Sequence, residues 1–399
     1  MPSRLKEKQI VLGVTGGIAA YKSVELLRLL TKQDAKVRVI MTENAAKFVG
    51  PLTFAALSGR AVHTSLFDGG DEADIKHIEW AQETDGVVIA PATANSVGKI
   101  AHGIADDALS TFITAVTAPV LICPSMNSDM YLSPAVQRNL GVLREDGFYV
   151  LSPGEGDLAC GTVGPGRLPD PPDILDRLIA YLTPNDLDGK SVLVSAGPTQ
   201  EPIDPVRFIS NPSSGKMGYA LARAAENRGA AVTLVSGPSQ LPDPVNVRTI
   251  RIQTAEQMAN AVLETADKAD IIIKAAAVSD YRPVRQSEQK IKKSKDEMTL
   301  SLIKNMDILK SLGEEKENRI VVGFAAETEH LKQHATEKLR AKNLDFIVGN
   351  LVGKPGSGFE SDTNSVSIFH RDGSFEVLQT MEKDAVAHTV LDRVVALLR

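Results

Sequence analysis

Residue types suited to holding anions recur at two places in the chain. In DGKSVLVSAGPTQEPIDPVRFISNPSSGKMG (188–218), an apolar strand-type run, Ser191–Ala196, leads into a long loop rich in Gly, Pro, Ser and Asn. The loop ends at Gly215-Lys216-Met217-Gly218, where a helical pattern takes over. Free backbone N–H groups and the positive end of the helix dipole then face the loop, which is the chemistry of an anion site. A second opening of this kind lies at 9–22, where a strand-type run ends in Thr15-Gly16-Gly17. A tight Gly-Gly turn with a hydroxyl beside it suits one phosphate monoester, as in FMN; its plain alternative is a tight strand-to-helix connection. The run Lys290 to Lys295 holds four lysines in six residues, which form either a solvated surface or a mobile countercharge for a triphosphate. Asp280, past the end of a strand-type run at 270–276, is placed to accept from a ribose hydroxyl or to hold a metal ion.

Three further residues stand in loops or at helix starts. His77, in Lys76-His77-Ile78, precedes a helical turn and alone reads as a surface or capping residue. Asn127, within Pro124-Ser125-Met126-Asn127, follows a strand and alone reads as a turn residue. Cys160 sits in LACGTVGPGR (158–167), where three glycines and a proline make a loop. A free cysteine is ordinarily buried as a small hydrophobe, so a thiol there calls for a reason. Two familiar nucleotide motifs are absent. The first loop is Gly13-Val14-Thr15-Gly16-Gly17 rather than GxGxxG, and the second strand ends Ile40-Met41-Thr42 without an acid for an adenine ribose. Ser213-Ser214-Gly215-Lys216 lacks the glycine of a P-loop at position 210 and has Met217 where Ser or Thr belongs.

The elements that must position these residues follow from apolar runs and turn signals. Strands are expected at 9–14, 36–41, 86–90, 118–123 and 148–151, with helical patterns between them. After a turn-rich connection at 182–189 the alternation resumes, with strands at 191–196, 231–236, 270–276, 320–325 and 345–349. A hairpin at 365–370 and 374–378 joins the sheet edge. The fold class is therefore α/β, with two doubly wound Rossmann-like domains: a flavodoxin-like flavoprotein at 1–183, a linker at 184–189, and a second domain with an edge β-hairpin at 190–399. Ligands of such sheets sit at the strand C-termini, where Gly16, Gly17, Ile18, Thr42, Asn44, Thr93, Ala94, Asn95, Ser96 and Ser125 all fall. The 399 residues are 43% hydrophobic and 24% charged with a net charge of −6, which argues for a globular protein and against general nucleic-acid binding. Two cysteines make no disulfide framework, residues 1–8 are too polar for a signal peptide, and no apolar run approaches the roughly 20 residues of a membrane span. A cytoplasmic, reduced setting is expected.

Six segments of the first half, TGGIAAYK (15–22), KHI (76–78), APATAN (90–95), GIADD (103–107), PSMNSDM (124–130) and LACGTVGPGR (158–167), resemble the flavin-dependent phosphopantothenoylcysteine decarboxylases. The resemblance implies FMN as cofactor, bound by the strand-end residues above. It also implies that His77 is base or orienting group on the substrate cysteine, that Asn127 holds the substrate carboxylate, and that Cys160 donates the closing proton from a lid. In that chemistry a thioaldehyde accepts the electrons left by departing CO₂. Two departures stand out: Ser125 replaces the Ala of PAMN, and Asp170 shortens the acid of GRMxEP.

The second half resembles phosphopantothenate–cysteine ligases. The matching segments are AGPTQEPIDPVRFISNPSSGKMG (196–218), KAAAVSDYRP (274–283), KIKK (290–293), GFAAET (323–328) and KNLDFIVGN (342–350). In such ligases CTP, with Mg²⁺, converts the acid to an acyl-cytidylate that the amine of cysteine attacks. The resemblance assigns Lys290 to neutralising the triphosphate, Asn211 to holding the acyl-cytidylate and Arg207 to the phosphopantothenate side. It assigns Lys274, Ala275, Ala276, Asp280, Met306, Asp307, Ile308, Leu309, Phe324, Lys338 and Lys342 to the nucleotide pocket, with Met306 standing where the family often has Pro; Mg²⁺ ligands are not assigned. The fused order resembles bacterial bifunctional coenzyme A biosynthesis proteins. It implies small-molecule substrates, no nucleic acid or membrane partner, and homo-oligomers with trimer-based decarboxylase halves and dimeric ligase halves. Flavin prenyltransferases share the first fold but explain neither Cys160 nor the second half. A non-catalytic regulatory relative is disfavoured by the presence of His77 and Cys160.

Overall fold

The computed structural model describes residues 5–66, 76–157, 163–292, 298–351 and 361–398, and the chain divides into two compact units, Pro2–Pro184 and Asn185–Arg399. In the first unit the strands are β1 (Gln9–Val14), β2 (Lys36–Met41), β3 (Val62–His63), β4 (Gly86–Ala92), β5 (Val120–Pro124) and β6 (Tyr149–Val150). They form one sheet in the order β3-β2-β1-β4-β5-β6, with every pairing parallel. The helices are α1 (Ala20–Lys32), α2 (Glu43–Ala46), α3 (Pro51–Ser58), α4 (Lys76–Glu83), α5 (Ala94–Ala101), α6 (Ala108–Ala115), α7 (Ser128–Leu132), α8 (Pro134–Glu145) and α9 (Pro171–Leu182). Parallel strands covered on both faces read as continuous apolar runs, and every residue of β4 is buried. Leu26, Leu27 and Leu30 of α1, Phe54 of α3 and Ile174 and Leu178 of α9 pack on one face. Val97 of α5, Leu109 and Phe112 of α6 and Leu140 of α8 pack on the other. An antiparallel hairpin, β7 (Gly154–Asp157) and β8 (Val163–Arg167), lies outside the sheet and was not foreseen.

In the second unit the main sheet takes β9 (Ser191–Ala196), β12 (Ala231–Ser236), β13 (Arg248–Arg251), β14 (Ile271–Lys274), β17 (Ile320–Glu327), β18 (Phe346–Leu351), β20 (Val366–His370) and β21 (Phe375–Val377). Its order is β13-β12-β9-β14-β17-β18-β20-β21, parallel through β18 and closed at one edge by the antiparallel hairpin β20–β21. Three small ribbons flank it: β10 (Gln200–Pro202) with β11 (Phe208–Ser210), β15 (Tyr281–Pro283) with β16 (Leu302–Lys304), and β19 (Thr363–Asn364) with β22 (Met381–Glu382). Helices α10 (Lys216–Glu226) and α14 (Lys383–Leu398) cover one face, where Leu221, Val390 and Val394 meet Val194 and Val322. The other face carries α11 (Ala255–Ala266), α12 (Ile308–Glu314) and α13 (Leu331–Ala341), through Met258, Leu312 and Leu339. Strand order reverses between β1 and β4 in one unit and between β9 and β14 in the other. A crevice opens outside the strand C-termini at such a switch point, so each unit has one position for a ligand. No helix among the described residues is long and apolar enough to cross a membrane.

Candidate functional sites

The loop after β1 and the loop after β4 are held together by one buried hydroxyl. Thr15 Oγ1 donates to Pro91 O at 2.7 Å and accepts from Thr93 N at 3.0 Å, and Thr15 is fully buried. This corrects the expectation that the hydroxyl beside the Gly-Gly turn faces a phosphate: it locks the two loops. What remains for an anion is backbone. Helix α1 has no side-chain cap at Ala19, so its first N–H groups open toward Gly17 and Ile18. Gly16 is required by close approach, because a Cβ there would stand 2.4 Å from the Cβ of Asn44.

These loops line a cavity of about 830 Å³. All ten strand-end residues assigned to the flavin border it: Gly16, Gly17 and Ile18 after β1, Thr42 and Asn44 after β2, Thr93 to Ser96 at the head of α5, and Ser125 after β5. Asn127 borders it too. Its Oδ1 caps α7, accepting from Asp129 N at 2.8 Å, so the amide meets the cavity as an N–H donor. The hairpin base closes the rim through Gly166, Arg167 and Leu168. Gly166 sits at φ 131°, and a Cβ there would strike Met126 O at 2.2 Å. Strands β7 and β8 run up to the segment that carries Cys160, which lies outside the described residues. His77 falls in the first turn of α4, and its side chain is likewise outside the description. The shortened acid at 170 keeps its partner, for Asp170 reaches Lys22 Nζ at 2.7 Å and its carboxyl is held below the ordinary range chiefly by that lysine.

One lining group was missed from the sequence. Lys99 pairs with Asp106 at 2.6 Å and Asp107 at 2.8 Å, and all three border the cavity. Asp106 and Asp107 belong to the quoted GIADD segment, which gave no hint of the lysine it would meet.

In the second unit the loop after β9 and the head of α10 border a cavity of about 400 Å³. Asn211, Lys274, Ala275, Ala276, Asp280, Leu309, Phe324, Lys338 and Lys342 line it as expected. Asn211 Nδ2 donates to Ala277 O at 3.3 Å and Val278 O at 3.1 Å, which leaves its carbonyl oxygen as the group offered to a ligand. Lys342 pairs with Asp307 at 2.9 Å and Lys338 with Glu327 at 2.7 Å. Lys274 has its ammonium pushed down to about 8, first by burial and then by Lys342, with Asp307 and Asp280 pulling the other way.

Five assigned residues do not line this cavity. Met306 is exposed and Ile308 is buried in the core under α12, while Asp307 acts indirectly by holding Lys342. Arg207 gives two guanidinium nitrogens to Asp204, which holds that carboxyl far below the usual range, and donates to Ile291 O at 3.1 Å. Asp204 also accepts from Ile291 N at 3.1 Å. The chain beside exposed Lys290 is thus pinned to the 203–207 loop, while residues 293–297 of the basic run lie outside the description. Lys216, Asn350, Asn364 and Lys383 line the cavity without having been foreseen. No cluster of three or more metal-ligating side chains occurs among the described residues.

Two crevices at two switch points, one cut for a flavin and one lined with lysines, define a flavoprotein fused to a second nucleotide-type domain. Residues 1–183 match the family model described as Flavoprotein, and residues 187–398 match that of the DNA/pantothenate metabolism flavoprotein C-terminal domain. The chain is 49% identical over 397 residues to the coenzyme A biosynthesis bifunctional protein CoaBC of Bacillus subtilis (strain 168), with 98% of each chain covered. It is 46% identical to the protein of that name from Escherichia coli (strain K12), covering 98% of this chain and 97% of the relative. A solved C-terminal domain of a CoaBC protein superposes with a TM-score of 0.47 at 42% identity, covering 54% of this chain and 98% of that one. The chain belongs to the family of bifunctional coenzyme A biosynthesis proteins.

Proposed function

We propose that residues 190–399 join 4′-phosphopantothenate to cysteine at the expense of CTP, and that residues 1–183 decarboxylate the product to 4′-phosphopantetheine with FMN, the two halves meeting at 184–189. The observation that carries this reading is the convergence of the ten strand-end residues and Asn127 on one cavity at the first switch point. The residues present fit FMN: an uncapped α1 head and a glycine at the point of closest approach for the phosphate, and about 830 Å³ of space for the ring system. When bound, FMN supplies reversible two-electron chemistry at the substrate cysteine, so that carboxylate loss need not leave an unstabilised carbanion.

The chain's own residues do the rest. Asn127 Nδ2 donates to the substrate carboxylate and holds it until CO₂ departs. His77 orients the cysteine end or takes its proton. Cys160 delivers the proton that completes the saturated thiol. Exposed Ile18, Tyr21 and Met130 on the cavity rim support a subunit contact beside the flavin, in keeping with trimer-based decarboxylase halves, while the ligase halves pair as dimers.

In the ligase half, Lys274, Lys338 and Lys342 set a positive field for the nucleotide, Asp280 accepts from the ribose, and Ala275 and Ala276 offer backbone to the base. Lys290 folds over the triphosphate from a loop pinned through Asp204 and Arg207, and Mg²⁺ accompanies the phosphates. Asn211, through its carbonyl oxygen, accepts from the attacking amine. The substrates are small molecules, and the setting is cytoplasmic. Supplying each half-reaction separately tests the reading. Ready-made 4′-phosphopantothenoylcysteine should release CO₂ without CTP, and CTP with 4′-phosphopantothenate should release pyrophosphate without flavin turnover. Failure of either half-reaction removes that half of the proposal.

A further inference from the structure

One corner of the C-terminal cavity has no role in the ligase reading. It is built from the heads of α10 and α14 and from the β19–β22 ribbon. Lys216 begins α10, Lys383 begins α14, and both line the cavity. The two helices run parallel: Arg223 pairs with Asp384 at 2.9 Å and, further along both, Arg228 pairs with Asp392 at 2.7 Å. Their N-termini therefore open at the same end. Helix α10 has no side-chain cap, its N-cap being Gly215 in the left-handed conformation at φ 81°. Lys216 is held by Asp362 at 2.6 Å, and Asp362 O accepts from Lys383 N at 3.0 Å, so the ribbon and both helix heads are tied together.

Helix heads alone define no site, and the second observation comes from Asn364. It is 5% exposed, it borders the cavity, and its Oδ1 has no hydrogen-bond partner. Asn350, at the end of β18, borders the same cavity with its Oδ1 also buried and unpartnered. Buried amides are ordinarily satisfied, so two unsatisfied ones facing a single cavity point to a ligand that completes them. Lys383 is itself buried, at 6% exposure, and burial and Lys216 press its ammonium below the ordinary lysine range while Asp362 acts in the opposite sense. A buried cation beside another cation is stabilised by an anion, and the open helix heads favour the same charge.

We propose that Lys216, Lys383, Asn364 and Asn350 form a phosphate subsite of the ligase pocket that holds a phosphate group of one of its two phosphorylated substrates. The inference rests on the ligase reading. The ammonium groups neutralise the phosphate, helix N–H groups donate to its oxygens, and the two amides bond to its oxygens and to the O–H or N–H groups beside it.

The test is steady-state kinetics of the full chain by CTP-dependent pyrophosphate release, with 4′-phosphopantothenate, CTP and cysteine varied one at a time. The unsubstituted protein reports on the ligase reading itself: without pyrophosphate release that reading fails, whatever the variants do. With release established, Lys383→Met is expected to raise the KM of one phosphorylated substrate at least tenfold and to leave the KM of cysteine unchanged, with Lys383→Arg restoring most of the loss. A rise for 4′-phosphopantothenate identifies its phosphate as the occupant, and a rise for CTP identifies the triphosphate. If Lys383→Met does not fold, the isosteric Asn364→Asp carries the test, since a carboxylate there opposes a phosphate and should raise the same KM. Folded variants with all three KM values within twofold of normal, or with only the cysteine KM raised, overturn the proposal.

Discussion

Lys274 stands at the end of β14 on the wall of the ligase cavity, where its ammonium is pushed down from 10.5 to about 8. Burial is the main cause, and Lys342 adds to it more than Asp307 and Asp280 individually relieve it. A bound triphosphate supplies the missing countercharge and should restore the lysine to its ordinary range. The most that the charged form can gain is the difference between 10.5 and about 8. At 1.36 kcal/mol per pH unit that is about 3 kcal/mol, or roughly 300-fold in affinity. In the free protein Lys274 is charged below pH 8 and neutral above it. Affinity that depends on the charge is therefore constant below pH 8 and falls tenfold per unit as pH rises from 8 toward 10.5. For folding the sign is reversed: the unfolded chain binds the extra proton in this window, so the penalty for burying the ammonium fades as pH rises through it. Equilibrium binding of CTP by calorimetry, at constant ionic strength and saturating Mg²⁺, should be about tenfold weaker at pH 9 than at pH 7. Lys274→Met should bind weakly throughout with a flat profile. Binding by the unsubstituted protein that stays within twofold from pH 7 to 9 would refute the reasoning, as would a variant that keeps the slope.

Lys290→Gln should slow acyl-cytidylate formation by roughly two to three orders of magnitude, the cost of one lost charge-stabilising donor, measured as pyrophosphate release; near-normal release would return Lys290 to the solvated surface. Cys160→Ala should still release CO₂ but accumulate an unsaturated thiol that mass spectrometry distinguishes from 4′-phosphopantetheine by two hydrogens. Prompt saturated product from that variant would remove the proton-donor role. Gly16→Ala forces a Cβ to within 2.4 Å of Asn44 Cβ, so purified protein should lose most of its flavin absorbance while the ligase half keeps its rate. Full flavin occupancy would show that the close approach is not needed.

Much of the sheet was legible because parallel strands buried on both faces leave unbroken apolar runs, as in Ser191–Ala196 and Ala231–Ser236, which fold with those limits. The exposed edge strand Arg248–Arg251 and the small ribbons carry no such run and were not read. Helix α10 begins at Lys216, ahead of the expected Tyr219, because Gly215 turns the chain through a left-handed conformation into the first helical residue. At the first site the strand-end loops could be named because topology fixes which ends face the crevice. Thr15 looked like a ligand group and proved to be a tie between loops, since its partners Pro91 and Thr93 are distant in sequence. At the second site Asn364 and Lys383 were invisible for the same reason: no motif surrounds them, and the Lys216–Asp362 pair spans 146 positions. Arg207 was read as a substrate group, whereas the fold commits its guanidinium to Asp204 and to the backbone beside Lys290.

The central claim, that one chain performs consecutive steps at two sites, is tested most directly by mass spectrometry of a single reaction. Purified protein is mixed with 4′-phosphopantothenate, cysteine, Mg²⁺ and CTP, beside a control without CTP. The account predicts 4′-phosphopantetheine in the complete mixture and none in the control. Accumulation of 4′-phosphopantothenoylcysteine alone, or no product from protein that carries its flavin, would contradict it.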